Sequence, residues 1–238
     1  MPTLLVFGAR NLGRSIARHM AGLGWDVAAV ARSPDSLERL AGEVEGALTI
    51  NADAGKIVDV ERAFAEARIR FEHIDLVVVA ISPSMGGRTF GGGELAESDP
   101  ASFAPYLDEL LPALVNVVRV ASRVLKQQGG GTYVQITGGS ARRGMPSRGP
   151  WAAAAFATRG LVQAAASELR EHGVHAALLI VDATIESEKT GGYLEGKPKE
   201  QSAGEEDVAA AVAYLAAQSP RAWTHELQLT PSGDRWVP

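Results

Sequence analysis

Six residues near the amino terminus, Gly8-Ala9-Arg10-Asn11-Leu12-Gly13, have the types and spacing of a phosphate cradle. Gly8 allows a tight turn, and Gly13 allows a helix to pack closely on a strand or a phosphate to approach the backbone. Arg10 stands where G-x-G-x-x-G has its middle glycine, so the motif gains its weight from context: an apolar run before it and a helical pattern after it. The second chemistry-bearing position is the end of the next apolar run, Ala31-Arg32-Ser33. A carboxylate there would accept hydrogen bonds from a ribose 2′-hydroxyl, whereas an arginine pairs with a 2′-phosphate. Arg10 could reach the same phosphate from the glycine turn. Two guanidiniums and no carboxylate predict NADP(H) in preference to NAD(H). The plain alternatives are a ligand-free turn and a solvated Arg32.

A phosphate cradle needs a strand and a helix to hold it, and the chain supplies that unit repeatedly. Leu4 to Phe7, Val27 to Ala31, Leu48 to Ile50, Asp75 to Ile81, Thr132 to Thr137, Ala176 to Val181 and Glu226 to Leu229 read as strands. Between them, Ser15 to Leu23, a helix entered at Ser33-Pro34, Val58 to Ala67, Leu107 to Gln127, Ala152 to Glu171 and Glu205 to Ala217 have helical spacing. Alternation of this kind predicts an α/β fold: one Rossmann-type doubly wound parallel sheet of about seven strands, spanning residues 1–238 as a single domain. Ligands of such sheets bind beyond the carboxyl ends of the strands. Two glycine-rich segments lie at that edge, Pro83 to Pro100 and Glu186 to Gly204, and read as mobile loops beside a cleft.

Composition narrows the classes further. The 238 residues carry 23 Lys+Arg and 28 Asp+Glu, a net charge of -5, with no long basic cluster. Nucleic acid and anionic membranes are poor partners for such a chain. With no cysteine, disulfides, thiolate metal sites and a cysteine nucleophile are excluded. No apolar run is long enough to span a bilayer, and the first residues lack a signal-peptide pattern, so a cytoplasmic protein is expected. The five histidines (His19, His73, His172, His175 and His225) show no metal-ligand spacing, and His172 and His175 read as the end of a helix.

These residues together resemble the short-chain dehydrogenase/reductase family over essentially the whole length. The glycine turn, the end of the second strand, the segment Asp53 to Phe64 and the run Ile74 to Ser82 carry the resemblance. It implies a nicotinamide dinucleotide held by Gly8, Arg10, Asn11, Leu12, Gly13, Arg32, Ser33, Asp53, Ala54, Ala80, Ile81, Ser82, Thr137, Ile185 and Ser187. Asp53 would face the adenine ring or its neighbouring loop. Val79-Ala80-Ile81-Ser82 stands for the family's Asn-Asn-Ala-Gly and would pass the adenine ribose. The Ile185 backbone and Ser187 hydroxyl would meet the nicotinamide carboxamide. Asn116 falls where the family carries a structural and catalytic Asn in the fourth helix.

The catalytic centre departs from the family. Members place a Tyr and a Lys four residues apart at the start of the fifth helix, with a Ser thirteen residues before the Tyr. The phenol moves the proton, and the ammonium lowers its pKa and binds the nicotinamide ribose. Here Trp151 stands at the Tyr, Ala155 at the Lys and Gly138 at the Ser. An indole donates one hydrogen bond and has no accessible acid–base chemistry, and alanine has none. Ser140 and Thr137 are candidate replacement hydroxyls. Arg159 shares a helical face with Trp151 and Ala155, though an ion pair is its plainer role. Tyr193 and Lys197 fit the bare Tyr-x-x-x-Lys pattern but lie in the second glycine-rich loop. No metal is expected. The resemblance implies an NADP(H)-dependent oxidoreductase for a small carbonyl or alcohol substrate, with altered catalytic residues, assembled as a homodimer or homotetramer. A nucleotide-binding protein without turnover, or a non-redox enzyme of cyclisation or dehydration, are the alternatives.

Overall fold

The sheet begins with β1 (Thr3–Phe7), whose five residues are all buried. Burial on both sides is what a strand between two helical layers requires, and it explains the unbroken apolar run. β2 (Asp26–Ala31), β3 (Leu48–Asn51), β4 (Leu76–Val79), β5 (Gly131–Gly138) and β6 (Val174–Val181) follow, then a two-residue pair β7 (Thr184–Ile185) and β8 (Ser202–Ala203), and last β9 (Glu226–Leu229). In this computed structural model residues 1–83, 90–187 and 190–234 are described. The main sheet has seven parallel strands in the order β3-β2-β1-β4-β5-β6-β9. The order reverses beside β1, where β2 pairs on one side (Phe7 opposite Val30) and β4 on the other (Phe7 opposite Val79). That reversal opens a crevice at the carboxyl ends of β1 and β4.

Among the described residues seven α-helices accompany the strands: α1 (Asn11–Gly22), α2 (Pro34–Glu43), α3 (Ile57–Phe71), α4 (Leu111–Gln128), α5 (Gly149–Leu169), the single turn α6 (Gly191–Leu194) and α7 (Glu205–Ala216). Successive strand residues feed opposite layers. Leu5 and Phe7 pack with α3, α4 and α5, through Val60, Phe64, Val117 and Val162. Leu4 and Val6 pack with α1, α2 and α7, through Ile16, Leu40 and Val212. Each such aliphatic side chain, fully buried, contributes about 1.5–3 kcal/mol, so the two layers hold the strand ends in fixed register for any ligand.

Several details differ from the sequence reading. The fourth helix is entered through a π-helical turn, Pro105–Leu110, which widens the backbone just before α4. The Glu186 to Gly204 segment, expected as a mobile loop, is tied down by the β7–β8 pairing, in which Ile185 lies opposite Ala203. His175 is not at a helix end: Gly173 turns left-handed at φ 73° and starts β6 one residue later, leaving His175 on that strand and 1% exposed. Gly91 and Gly92 are fitted rather than loose. A Cβ on Gly92 would stand 2.3 Å from Pro150 and one on Gly91 2.7 Å from the Ser147 carbonyl oxygen. Gly86, Gly87 and Trp236 lie outside the described residues.

Candidate active site

The first strand delivers the chain to the crevice at Gly8, which adopts φ 105°. Its N–H donates to the Val30 carbonyl at 2.8 Å. A Cβ there would stand 2.7 Å from the Ala80 carbonyl oxygen, so the glycine lets the ends of β1 and β4 meet. Gly13 is more constrained, since a Cβ on it would lie 1.6 Å from the Gly8 carbonyl oxygen. Helix α1 starts at Asn11 with no side-chain cap and no acidic residue in its first turn. The Gly13 N–H donates to the Arg10 carbonyl at 2.9 Å, and with no side-chain cap ahead of it the helix dipole favours an anion at this end.

A cavity of about 470 Å³ opens above this turn, lined by Arg10, Asn11, Ser36, Arg39, Glu186 and Ser187 among others. Arg14 and Arg18 also border it, but both are paired with Glu43, at 3.4 and 3.7 Å, and Arg18 also bonds Glu206. Burial pushes the neighbouring Glu205 carboxyl up, against the pull of Arg14 and Arg18. No ion pair engages Arg10, Arg32 or Arg39 among the described residues. Arg32 is exposed at the end of β2, and Asn51 Nδ2 donates to its carbonyl at 3.0 Å, fixing the backbone. The Ser33 hydroxyl caps α2 by accepting from the Ser36 N–H at 3.3 Å. Arg39, one helical turn beyond Ser36, was not singled out in the sequence, because only the fold brings α2 over the glycine turn.

The residues after β3 form a second wall. The Asp53 carboxylate accepts from the Gly55 N–H at 3.0 Å, while the Asp53 N–H donates to Asp59 at 2.9 Å. That bond holds the Asp59 carboxyl below its ordinary range. Asn116 on α4 donates to the Ala54 carbonyl at 3.0 Å, so its amide fastens this loop to the helix. Ile81 is partly exposed and Ser82 exposed at the end of β4. Across the cleft, the Thr190 hydroxyl donates to the Ile185 carbonyl at 2.6 Å and lies 3.0 Å from the Ser187 hydroxyl. Thr190 is thus a further member of this wall that the sequence reading left out.

Beyond the end of β5, the indole of Trp151 lies over Gly138. A Cβ on Gly138 would sit 3.6 Å from both Nε1 and Cζ2 of that ring. Ala155, one turn further along α5, is 1% exposed. Thr137 is buried, and the Ser140 hydroxyl is sealed from solvent with no hydrogen-bond partner among the described residues. Arg159 turns away from the cleft and binds Glu226 through two bonds, 2.7 and 2.8 Å. Burial works to raise the Glu226 carboxyl, but the bonds from Arg159 and Gln163 outweigh it and hold it low. Asp182, at the end of β6, accepts from Arg143 at 2.7 and 3.2 Å and from Gln228 at 3.2 Å. Its carboxylate fills the space a side chain on Gly139 would need, since a Cβ there would be 1.9 Å from Oδ1. Tyr193 is exposed and carries the Lys197 ammonium 3.2 Å above its ring, away from α5.

Around Trp151 stand two rings that the sequence reading passed over, Phe90 at 5.6 Å and Tyr106 at 5.7 Å between centroids. The Gly91 N–H donates to the Tyr106 hydroxyl at 2.6 Å. Among the described residues no group of three or more acidic or histidine side chains could hold a metal, and no helix is long and apolar enough to cross a membrane.

The profile of the short chain dehydrogenase family matches residues 2–188. Human 3-oxoacyl-[acyl-carrier-protein] reductase is 26% identical over 130 residues, which are 54% of this chain and 52% of that protein. An uncharacterized oxidoreductase of Caenorhabditis elegans is 25% identical over 177 residues, 72% of this chain and 55% of its own. The chain thus spans about half the length of these curated relatives. An alcohol dehydrogenase from the archaeon Thermococcus sibiricus, solved with 5-hydroxy-NADP, superposes over 100% of both chains with TM-score 0.84 and 26% identity. A 3-ketoacyl-(acyl-carrier-protein) reductase from Brucella melitensis, solved with NADH, superposes with TM-score 0.83 over 97% of both chains at 20% identity, a likeness of fold. With the match covering most of the sheet, the glycine turn and the catalytic edge, the chain belongs to the short-chain dehydrogenase/reductase family.

Proposed function

We propose that this chain binds NADP(H) and transfers hydride between it and a small carbonyl or alcohol, with the proton handled by groups other than a Tyr–Lys pair. The observation that carries this reading is the cavity over the Gly8–Gly13 turn, with an uncapped helix start and the unpaired Arg10 and Arg39 on its rim. Gly8 and Gly13 let the backbone of the turn close on the end of β4 and on itself, which sets the start of α1 where a pyrophosphate would lie. Arg10 and Arg32, with Arg39 beside them, would hold the 2′-phosphate. Ser187 and the backbone at Ile185 would position the nicotinamide. When bound, the dinucleotide supplies the hydride. The chain's own part is to orient it, to exclude water, and to offer hydrogen bonds to the substrate oxygen from the Trp151 indole N–H.

The test is calorimetric titration with NADP⁺ and NAD⁺, followed by an absorbance screen for NADPH consumption over varied carbonyls. Tight NADP⁺ binding with turnover supports the reading; tight binding with no turnover on any carbonyl sinks hydride transfer. A second reading draws on the packing at the catalytic edge. Trp151 lying on Gly138, with Ala155 buried, fits a protein that keeps the nucleotide without consuming it, or that performs a non-redox cyclisation or dehydration. A homodimer built on α4 and α5 goes with either reading.

A further inference from the structure

We propose that the mouth of this site selects carbonyl compounds that combine an aromatic or conjugated ring with an anionic group, and that Arg148 reads the charge. The proposal rests on the hydride-transfer reading above and names its substrate class. Three basic residues lie on the segment between β5 and α5: Arg142, Arg143 and Arg148. Arg142 faces Glu226 at 3.7 Å, and Arg143 is bound to Asp182. Arg148 has no carboxylate partner among the described residues, and α5 carries no acidic residue in its first turn. Its guanidinium lies over the Phe90 ring, 5.7 Å from the centroid. Phe90 in turn meets Trp151, the residue at the family's Tyr position.

The base of the Arg148 side chain is packed against the Gly91–Gly93 turn. The backbone of Arg148 bridges to Gly93, and a Cβ on Gly91 would stand 2.8 Å from the Arg148 Cγ. Its charge is felt at Tyr106, whose phenol is pushed up by burial while the Gly91 N–H and Arg148 pull it down. Phe90 remains 47% exposed and Trp151 partly exposed, so both residues keep solvent-accessible surface near the guanidinium. Aromatic faces alone would attract a cationic ligand equally well. Arg148 decides the sign, because a second cation there would be repelled while a carboxylate gains a charge-assisted bond.

The experiment is calorimetry on the NADP⁺-saturated protein, in which no reduction can occur, with three probes. They are 4-carboxybenzaldehyde, benzaldehyde and 4-(trimethylammonio)benzaldehyde. The carboxylate is expected to bind about tenfold more tightly than the neutral aldehyde, the effect of one charged hydrogen bond. Arg148→Gln should erase that ratio, with its thermal midpoint confirming the fold. Equal affinity across the probes, tightest binding of the ammonium compound, no binding of any probe, or an undiminished ratio in Arg148→Gln overturns the proposal. NADP⁺ is titrated first. If it fails to bind, the cofactor reading falls by itself, and the probe ratio on the free protein still decides the role of Arg148.

Discussion

In the proposed function, Arg32 is the residue on which the choice between the two dinucleotides would turn. It stands exposed at the end of β2 with its backbone fixed by Asn51 and no carboxylate engaged. Replacing it by Glu puts a negative charge where the 2′-phosphate would lie and an acceptor where a 2′-hydroxyl could donate. Arg32→Glu should weaken NADP⁺ by about tenfold to a hundredfold, the worth of a charged hydrogen bond, and leave NAD⁺ unchanged or tighter. Calorimetric titration of both nucleotides checks this, and equal NADP⁺ affinity before and after would remove Arg32 from the site. Gly13 is constrained by backbone rather than by charge, since the Gly8 carbonyl oxygen occupies the place of any Cβ.

At the scale of elements, α5 has two faces with different duties. Ala152, Ala154, Ala155, Ala165 and Ala166 pack inward, whereas Ala153, Phe156, Ala157, Gly160 and Ala164 are exposed. Small residues around one large ring let a second helix approach closely, which is the basis for the proposed dimer. Phe156→Glu should convert a dimer to monomer in sedimentation velocity with little change in thermal midpoint, because the ring is already 45% exposed. Elements were also what the sequence expressed best. The period of apolar residues is local, so β1, β2 and β9 and the centres of the helices could be read directly. The glycine turn and Arg32 were readable for the same reason, as they sit at strand ends. The gathering of Phe90 and Tyr106 around Trp151 was not, because it depends on a π-helical entry to α4 and on Gly92 fitted against Pro150. His175 was misplaced because Gly173, not the histidine pattern, marks the end of the helix.

For the whole molecule, the far end of the sheet sets the response to acid. His175 stacks on Trp223 at 5.2 Å and its Nε2 lies 2.9 Å from the Thr224 carbonyl. Burial lowers its pKa from the ordinary 6.5, with His225 adding to the effect and carbonyls of Thr224 and Leu215 opposing it. The unfolded chain therefore takes up this proton more readily than the folded one. The corresponding stability is fully present above pH 6.5 and is lost as pH falls through the lower folded value. The carboxylates held low, Asp59, Glu206 and Glu226, act in the same direction but at more acidic pH. Thermal midpoints should fall between pH 7 and pH 5, and His175→Gln should flatten that part of the curve. A midpoint that rises on acidification would contradict the assignment.

The contact between Trp151 and Gly138 also orders the routes by which this sequence can change. On the indole side there is room for a methyl on Gly138 and little more. A serine hydroxyl introduced first would meet a ring, and its benefit would depend on what stands at position 151. Exchange of Trp151 for the narrower tyrosine removes that obstacle, after which a serine at 138 and a lysine at 155 each have something to act upon. On the proposed assignment of these positions the three would be epistatic, and a change toward a Tyr–Lys pair would take its first step at Trp151.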